Sequence, residues 1–131
     1  MLARDLLIPN GARGRVDHLL EREQFDTVIR ELGAFLEAEM RSVVGDAKAY
    51  GWKLVESYIR ALGSPEGILS SHRKILRAEL RTCLRFIRNG FAHEIVDLER
   101  PRALALISRL TEAIAAVQGV NEAMRDSAIS E

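Results

Sequence analysis

The stretch SSHRKILRAELRTCLRFIRN, residues 70–89, decides the fold class. Leu76, Leu80, Cys83, Leu84 and Ile87 recur at helical spacing, which predicts one amphipathic helix from Ser70 or Ser71 to Arg88 or Asn89. A second stripe runs beside the first. Arg73, Arg77, Arg81 and Arg85 follow one another at four-residue steps, each drifting by about 40°, and Arg88 falls in the same sector.

Working outward, the same period appears in the flanking segments. Phe25, Val28, Leu32, Phe35, Leu36 and Val43 predict a helix over residues 17–44, with Asp17 as N-cap and a break at Gly45-Asp46. Leu54, Val55, Tyr58, Ile59 and Leu62 predict a helix over 47–62, stopped by Gly63. Residues 64–67 read as a turn, or at most a single helical turn started by Pro65. Leu104, Ile107, Leu110, Ile114 and Val117 predict a last helix that starts between 97 and 101 and ends near Gly119. Pro9, Asn10, Gly11 and Gly14 make residues 1–16 a lead-in, and 121–131 a polar tail. No segment keeps a period of two. The expectation is an all-α domain over 17–120, an antiparallel four-helix bundle.

Composition narrows the classes of function. Nineteen basic residues balance nineteen acidic ones, so total charge says nothing about nucleic acid. Its distribution does. From His72 to His93 there are six Lys/Arg and one acid, Glu79, a local +5 that leaves −5 elsewhere. Such a face can bind phosphates by displacing condensed counterions. It can also be a solvated face, or pair with acids of a neighbouring helix. The single Cys83 excludes an internal disulfide and fits a core position. No signal peptide is read, and no uninterrupted apolar run nears the roughly 20 residues that cross a bilayer. The expected compartment is the cytoplasm. His18, His72 and His93 are far apart and lack metal-ligand spacing, so neither a metal nor a cofactor is expected. Trp52 and Tyr58 have faces that can stack on a base, although core or interface packing is the commoner role for such residues, and Trp52 lies near the start of its helix.

The segment Phe86-Ile87-Arg88-Asn89-Gly90-Phe91-Ala92-His93 carries the chemistry. On a continuous helix, Arg88 and His93 would point about 140° apart. Gly90 at the first position past the helix would let the chain turn, with Phe86 and Phe91 forming the apolar pair of that stop. His93 would then return beside Arg88. Cleaving RNA requires a base for the 2′-hydroxyl proton, an acid for the departing 5′-oxygen and positive charge at the phosphorane. An imidazole serves either proton role near neutral pH. A guanidinium grips phosphate oxygens in pairs. Asn89 can orient either group. A structural reading also fits: Arg88 paired with Glu94 or Asp97, and His93 capping the helix.

Arg88-Asn89 followed by His93 after four intervening residues, placed between the last two of four helices, resembles the HEPN superfamily over residues 17–120. The local string is most similar to families related to abortive infection, several of which carry proline where this chain has Gly90. The resemblance implies a homodimer in which two copies of the motif face one cleft. It further implies a metal-independent endoribonuclease that leaves a 2′,3′-cyclic phosphate, with Arg88, Asn89 and His93 catalytic. Arg77, Arg81 and Arg85 would hold the RNA. A toxin or phage-defence role would follow, with an antitoxin of nucleotidyltransferase type as a partner. The alternatives are a non-catalytic HEPN module that binds nucleotides or partners, and a plain helical interaction protein.

Overall fold

The computed structural model describes residues 8, 10–63, 70–91 and 100–130, with the backbone alone for 10, 70, 71, 86–91 and 127–130. The protein is all-α. Among the described residues there are five helices and no strand: α1 (Asn10–Glu21), α2 (Phe25–Val44), α3 (Gly51–Ala61), α4 (Ser70–Phe91) and α5 (Arg100–Ser130).

The predicted first helix is two helices. The lead-in is itself helical from Asn10, and its Ala12 and Val16 are fully buried. The break falls at Glu23, which takes a left-handed φ of 56°. The Gln24 N–H donates to the Leu19 carbonyl at 2.9 Å and the Glu23 N–H to the Leu20 carbonyl at 3.0 Å. These two bonds form the double-bonded stop that usually places glycine at the left-handed residue. Glutamate at this position hides the stop from sequence reading. Its carboxylate is held by Arg100. At Gly11 the missing side chain matters, since a Cβ there would lie 2.9 Å from Phe35 Cζ. Glycine lets α1 close on α2.

The other boundaries follow from local chemistry. Gly45, at φ 75°, stops α2 as expected, donating to the Arg41 carbonyl at 3.0 Å. α3 begins at Gly51, four residues later than its apolar pattern alone predicts. Asp46 accepts the Lys48 N–H at 2.9 Å in a tight turn, and Arg41 Nε holds the Ala49 carbonyl at 2.8 Å. Gly63, at φ 69°, follows the end of α3. α5 continues eleven residues past Gly119 instead of giving way to a tail. Asn121 is buried, and Val120 and Met124 pack on the core.

α2 is the central element and packs against α5, α3, α1 and α4. Its Leu32, Leu36 and Met40 meet a core that includes Ile107, Leu110 and Ile114 of α5. The helix directions follow from pairs of contacts. Arg15 approaches Glu31 while Gly11 faces Phe35, so α1 runs against α2. Arg100 pairs with Glu23, and Asn121 donates to the Glu39 carbonyl, so α5 runs alongside α2 in the same direction, which corrects the expected antiparallel packing for this pair. Arg73 meets Ile59 and Arg77 meets Glu56, so α4 runs against α3.

α5 is apolar enough over Arg100–Asp126, by length and mean hydropathy, to cross a bilayer, although charges interrupt it. Half of its most apolar window is buried inside the fold. Core packing accounts for that composition.

Candidate nucleic-acid interface

The basic stripe of α4 divides into two parts. At its N-terminal end the arginines serve the fold. Arg73 Nη2 donates to the Ile59 carbonyl at 3.2 Å, near the C-terminal end of α3. There a guanidinium satisfies a terminal carbonyl and meets the negative end of the helix dipole. Arg77 grips Glu56 of α3 through Nε and Nη2, each at 2.7 Å. Glu56 was not singled out from the sequence. Its signal was its place as the sole acid of α3, one residue past the apolar pair Leu54-Val55.

Towards the C-terminal end the stripe opens to solvent. Arg81 reaches Glu56 only at 3.8 Å, and its side chain is half exposed. Arg85 is exposed and has no ion pair among the described residues. Glu79, the acid on α4, faces away and lies 3.5 Å from Arg109 of α5. It therefore offsets Arg109, and among the described residues only Glu56 tempers the stripe. Of the three expected RNA-binding arginines, Arg77 is committed to Glu56, while Arg81 and Arg85 are available to a polyanion. A partly exposed ion pair such as Arg77–Glu56 is worth about 1 kcal/mol or less, so a phosphate can compete for it.

α4 does not stop at Gly90. It runs on to Phe91, two or three residues beyond the expected end. A single interior glycine costs a helix only about 1 kcal/mol, and in the sequence the apolar period continues at Phe91, four residues after Ile87 and seven after Leu84. Arg88 and Asn89 sit in the last turn and a half of this helix. His93 lies outside the described residues, as do the side chains of Arg88 and Asn89. The expected reversal at Gly90 is therefore corrected: any return of the chain toward Arg88 begins after Phe91.

Among the described residues, no three His, Cys, Asp or Glu side chains gather where a metal could sit. Tyr58 is fully buried, and its hydroxyl donates to Asn121 Oδ1 at 2.7 Å. It is thus a core residue with no face free for a base. Trp52, by contrast, is 59% exposed. Cys83 is buried, and burial, reinforced by Glu79, pushes its thiol up to about 11 despite Arg109 nearby. At pH 8 its thiolate fraction is then about a hundredfold below that of an unperturbed thiol. Reaction with an aromatic disulfide reagent at pH 8 is expected to be slower by at least that factor in the native protein than in urea. Equal rates would remove Cys83 from the core.

No family model matches the chain, and no curated protein or solved structure shows significant similarity to it.

Proposed function

We propose that the chain is a HEPN-type, metal-independent endoribonuclease that works as a homodimer, its helical body supplying the four-helix scaffold of that family. What carries the reading is the exposed, single-signed end of α4. Arg81 and Arg85 lie on the helix sector that leads into Arg88-Asn89, and the chain goes on to His93. RNA held by Arg81 and Arg85 would pass its backbone to that motif.

In the reaction, the 2′-oxygen attacks the adjacent phosphorus and the bond to the 5′-oxygen breaks. His93 takes the proton from the 2′-hydroxyl or gives one to the departing 5′-oxygen, and its copy across the cleft fills the other role. Arg88 stabilises the charge on the phosphorane, and Asn89 orients the site. The products are a 2′,3′-cyclic phosphate and a 5′-hydroxyl. Such an enzyme fits a toxin or defence effector of the cytoplasm, restrained by an antitoxin partner.

The test is incubation of the purified chain with varied single-stranded RNAs in the presence of a chelator, followed by end-group analysis. The expected result is cleavage to cyclic-phosphate ends. His93→Ala is expected to reduce it about a hundredfold or more, with helicity and oligomeric state unchanged. Absence of cleavage by the wild type, or an equally active His93→Ala protein, rejects the enzyme.

The helix continuing past Gly90 favours a second reading, a non-catalytic HEPN module. In that case the protein binds nucleotides or a regulatory partner at the same arginines, and RNA is retained intact.

A further inference from the structure

Trp52 is the chain's single tryptophan, and it is largely exposed, which is unusual for so large an apolar side chain. Its place on the surface follows from that of Glu56. The two are four residues apart on α3 and so share a face, with Trp52 one turn nearer the start of the helix. Glu56 is the residue that Arg77 and Arg81 reach from α4.

The register of the two helices then locates what lies opposite the indole. Ile59 meets Arg73, and Glu56 meets Arg77 and Arg81. Because α3 and α4 run in opposite directions, one turn back along α3 corresponds to one turn forward along α4. Trp52 therefore stands level with the turn from Arg81 to Arg85. Both arginines are exposed, and among the described residues neither stacks on the indole: the cation–π contact found is Arg15 over Phe35. Lys53, next to Trp52, is also exposed. The result is an uncovered aromatic face bordered by cations.

We propose that Trp52, Arg81 and Arg85 form a platform for single-stranded RNA, with the indole stacking on an unpaired base and the two guanidiniums holding flanking phosphates. The proposal deepens the reading of this chain as an RNA-acting protein, on which it rests, and it specifies the substrate as unpaired. A base inside a duplex has both faces covered by its neighbours and cannot stack on the indole. The pairing of an aromatic face with a cationic border is the recurring physical basis of single-strand binding. The charge also discriminates between occupants. A purely apolar protein surface would offer Arg85 no counter-charge and leave Arg81 with only its 3.8 Å approach to Glu56, whereas a nucleic acid supplies base and phosphates together. The other large exposed apolar residue of α4, Ile75, lies about 120° around the helix from Arg81 and is not part of this face.

The single indole is its own reporter. A single-stranded RNA oligonucleotide bearing 2′-O-methyl groups has no nucleophile for cleavage, so it measures binding alone. It is expected to quench the tryptophan emission saturably, whereas a duplex of the same sequence leaves emission unchanged. Trp52→Ala, followed by anisotropy of a labelled oligonucleotide, is expected to weaken binding about tenfold or more. Arg85→Ala should weaken it too and lower the salt slope by about 0.7. Ile75→Ala should match the wild type. Trp52 is exposed, so its replacement leaves the fold intact, which circular dichroism verifies.

Absence of quenching, or unchanged affinity in Trp52→Ala, overturns the platform. Cleavage of unmodified RNA would in that case still stand on its own. Quenching by the methylated strand without cleavage of its unmodified counterpart supports the platform and rejects the nuclease. An indole emission that shifts only with protein concentration would make the face a protein contact and overturn the proposal.

Discussion

Leu32→Ala is expected to remove about 3–5 kcal/mol of folding stability, the upper part of the range for a buried leucine. Leu32 is fully buried on α2, the helix that touches all four others. A cavity at that point is walled by several rigid elements and cannot collapse by moving one of them. Domains of this size have about 5–15 kcal/mol in total, so the change would consume a large share. The midpoint of thermal unfolding should fall by about 10–20 °C. In urea the midpoint should fall while the slope holds, because the same surface is exposed on unfolding. A loss below about 1 kcal/mol would show that α2 is not central.

Asn121→Leu is expected to cost about 2–3 kcal/mol even though it adds apolar volume. Asn121 is 4% exposed and ties three helices together. Its Oδ1 accepts the Tyr58 hydroxyl of α3, and its Nδ2 donates to the Glu39 carbonyl of α2 at 3.1 Å. Leucine would leave the Tyr58 hydroxyl buried without an acceptor, and the desolvation of that group is the larger part of the loss. Tyr58→Phe leaves Asn121 Oδ1 in the same position. The double change should therefore be milder than the sum of the singles by about 1 kcal/mol or more. Strict additivity would mean that the two do not interact.

The same pair sets an alkaline limit. Burial, with the Glu39 carboxylate adding to it, raises the Tyr58 phenol above its ordinary value of 10.0. The unfolded chain therefore loses this proton before the folded one does. The contribution is complete below about pH 10 and falls away as pH climbs toward the folded value. Tyr58→Phe should flatten that decline.

Helical content was legible in the sequence because apolar period alone establishes it. Leu32, Leu36, Leu54, Leu80 and Ile107 were all expected in the core and are all fully buried. The stops at Gly45 and Gly63 were legible because glycine announces a left-handed residue. The stop at Glu23 was not, since the conformation came without the residue that signals it. Gly90 is the converse case: the residue is present, but the helix continues through it to Phe91. Both run against the usual glycine signal, because local preference is a weak guide to where a helix stops. Asn121 was placed in a tail because it is polar, whereas partners 63 and 82 positions away in the chain bury it. The stripe of α4 was legible as a row of charges. Its division between structural Arg73 and Arg77 and open Arg81 and Arg85 depended on where α3 placed Glu56.

The shared direction of α2 and α5 has a consequence during synthesis. Ribosomes deliver the chain from its N-terminus, and the packing of α2 against α5 is missing until Arg100–Ser130 emerges. Until then Leu32, Leu36 and Met40 form part of an incomplete interior, a surface prone to sticking to other chains and to holdase chaperones. Nonsense truncations before Arg100 should therefore yield aggregates or rapid degradation rather than a smaller working domain.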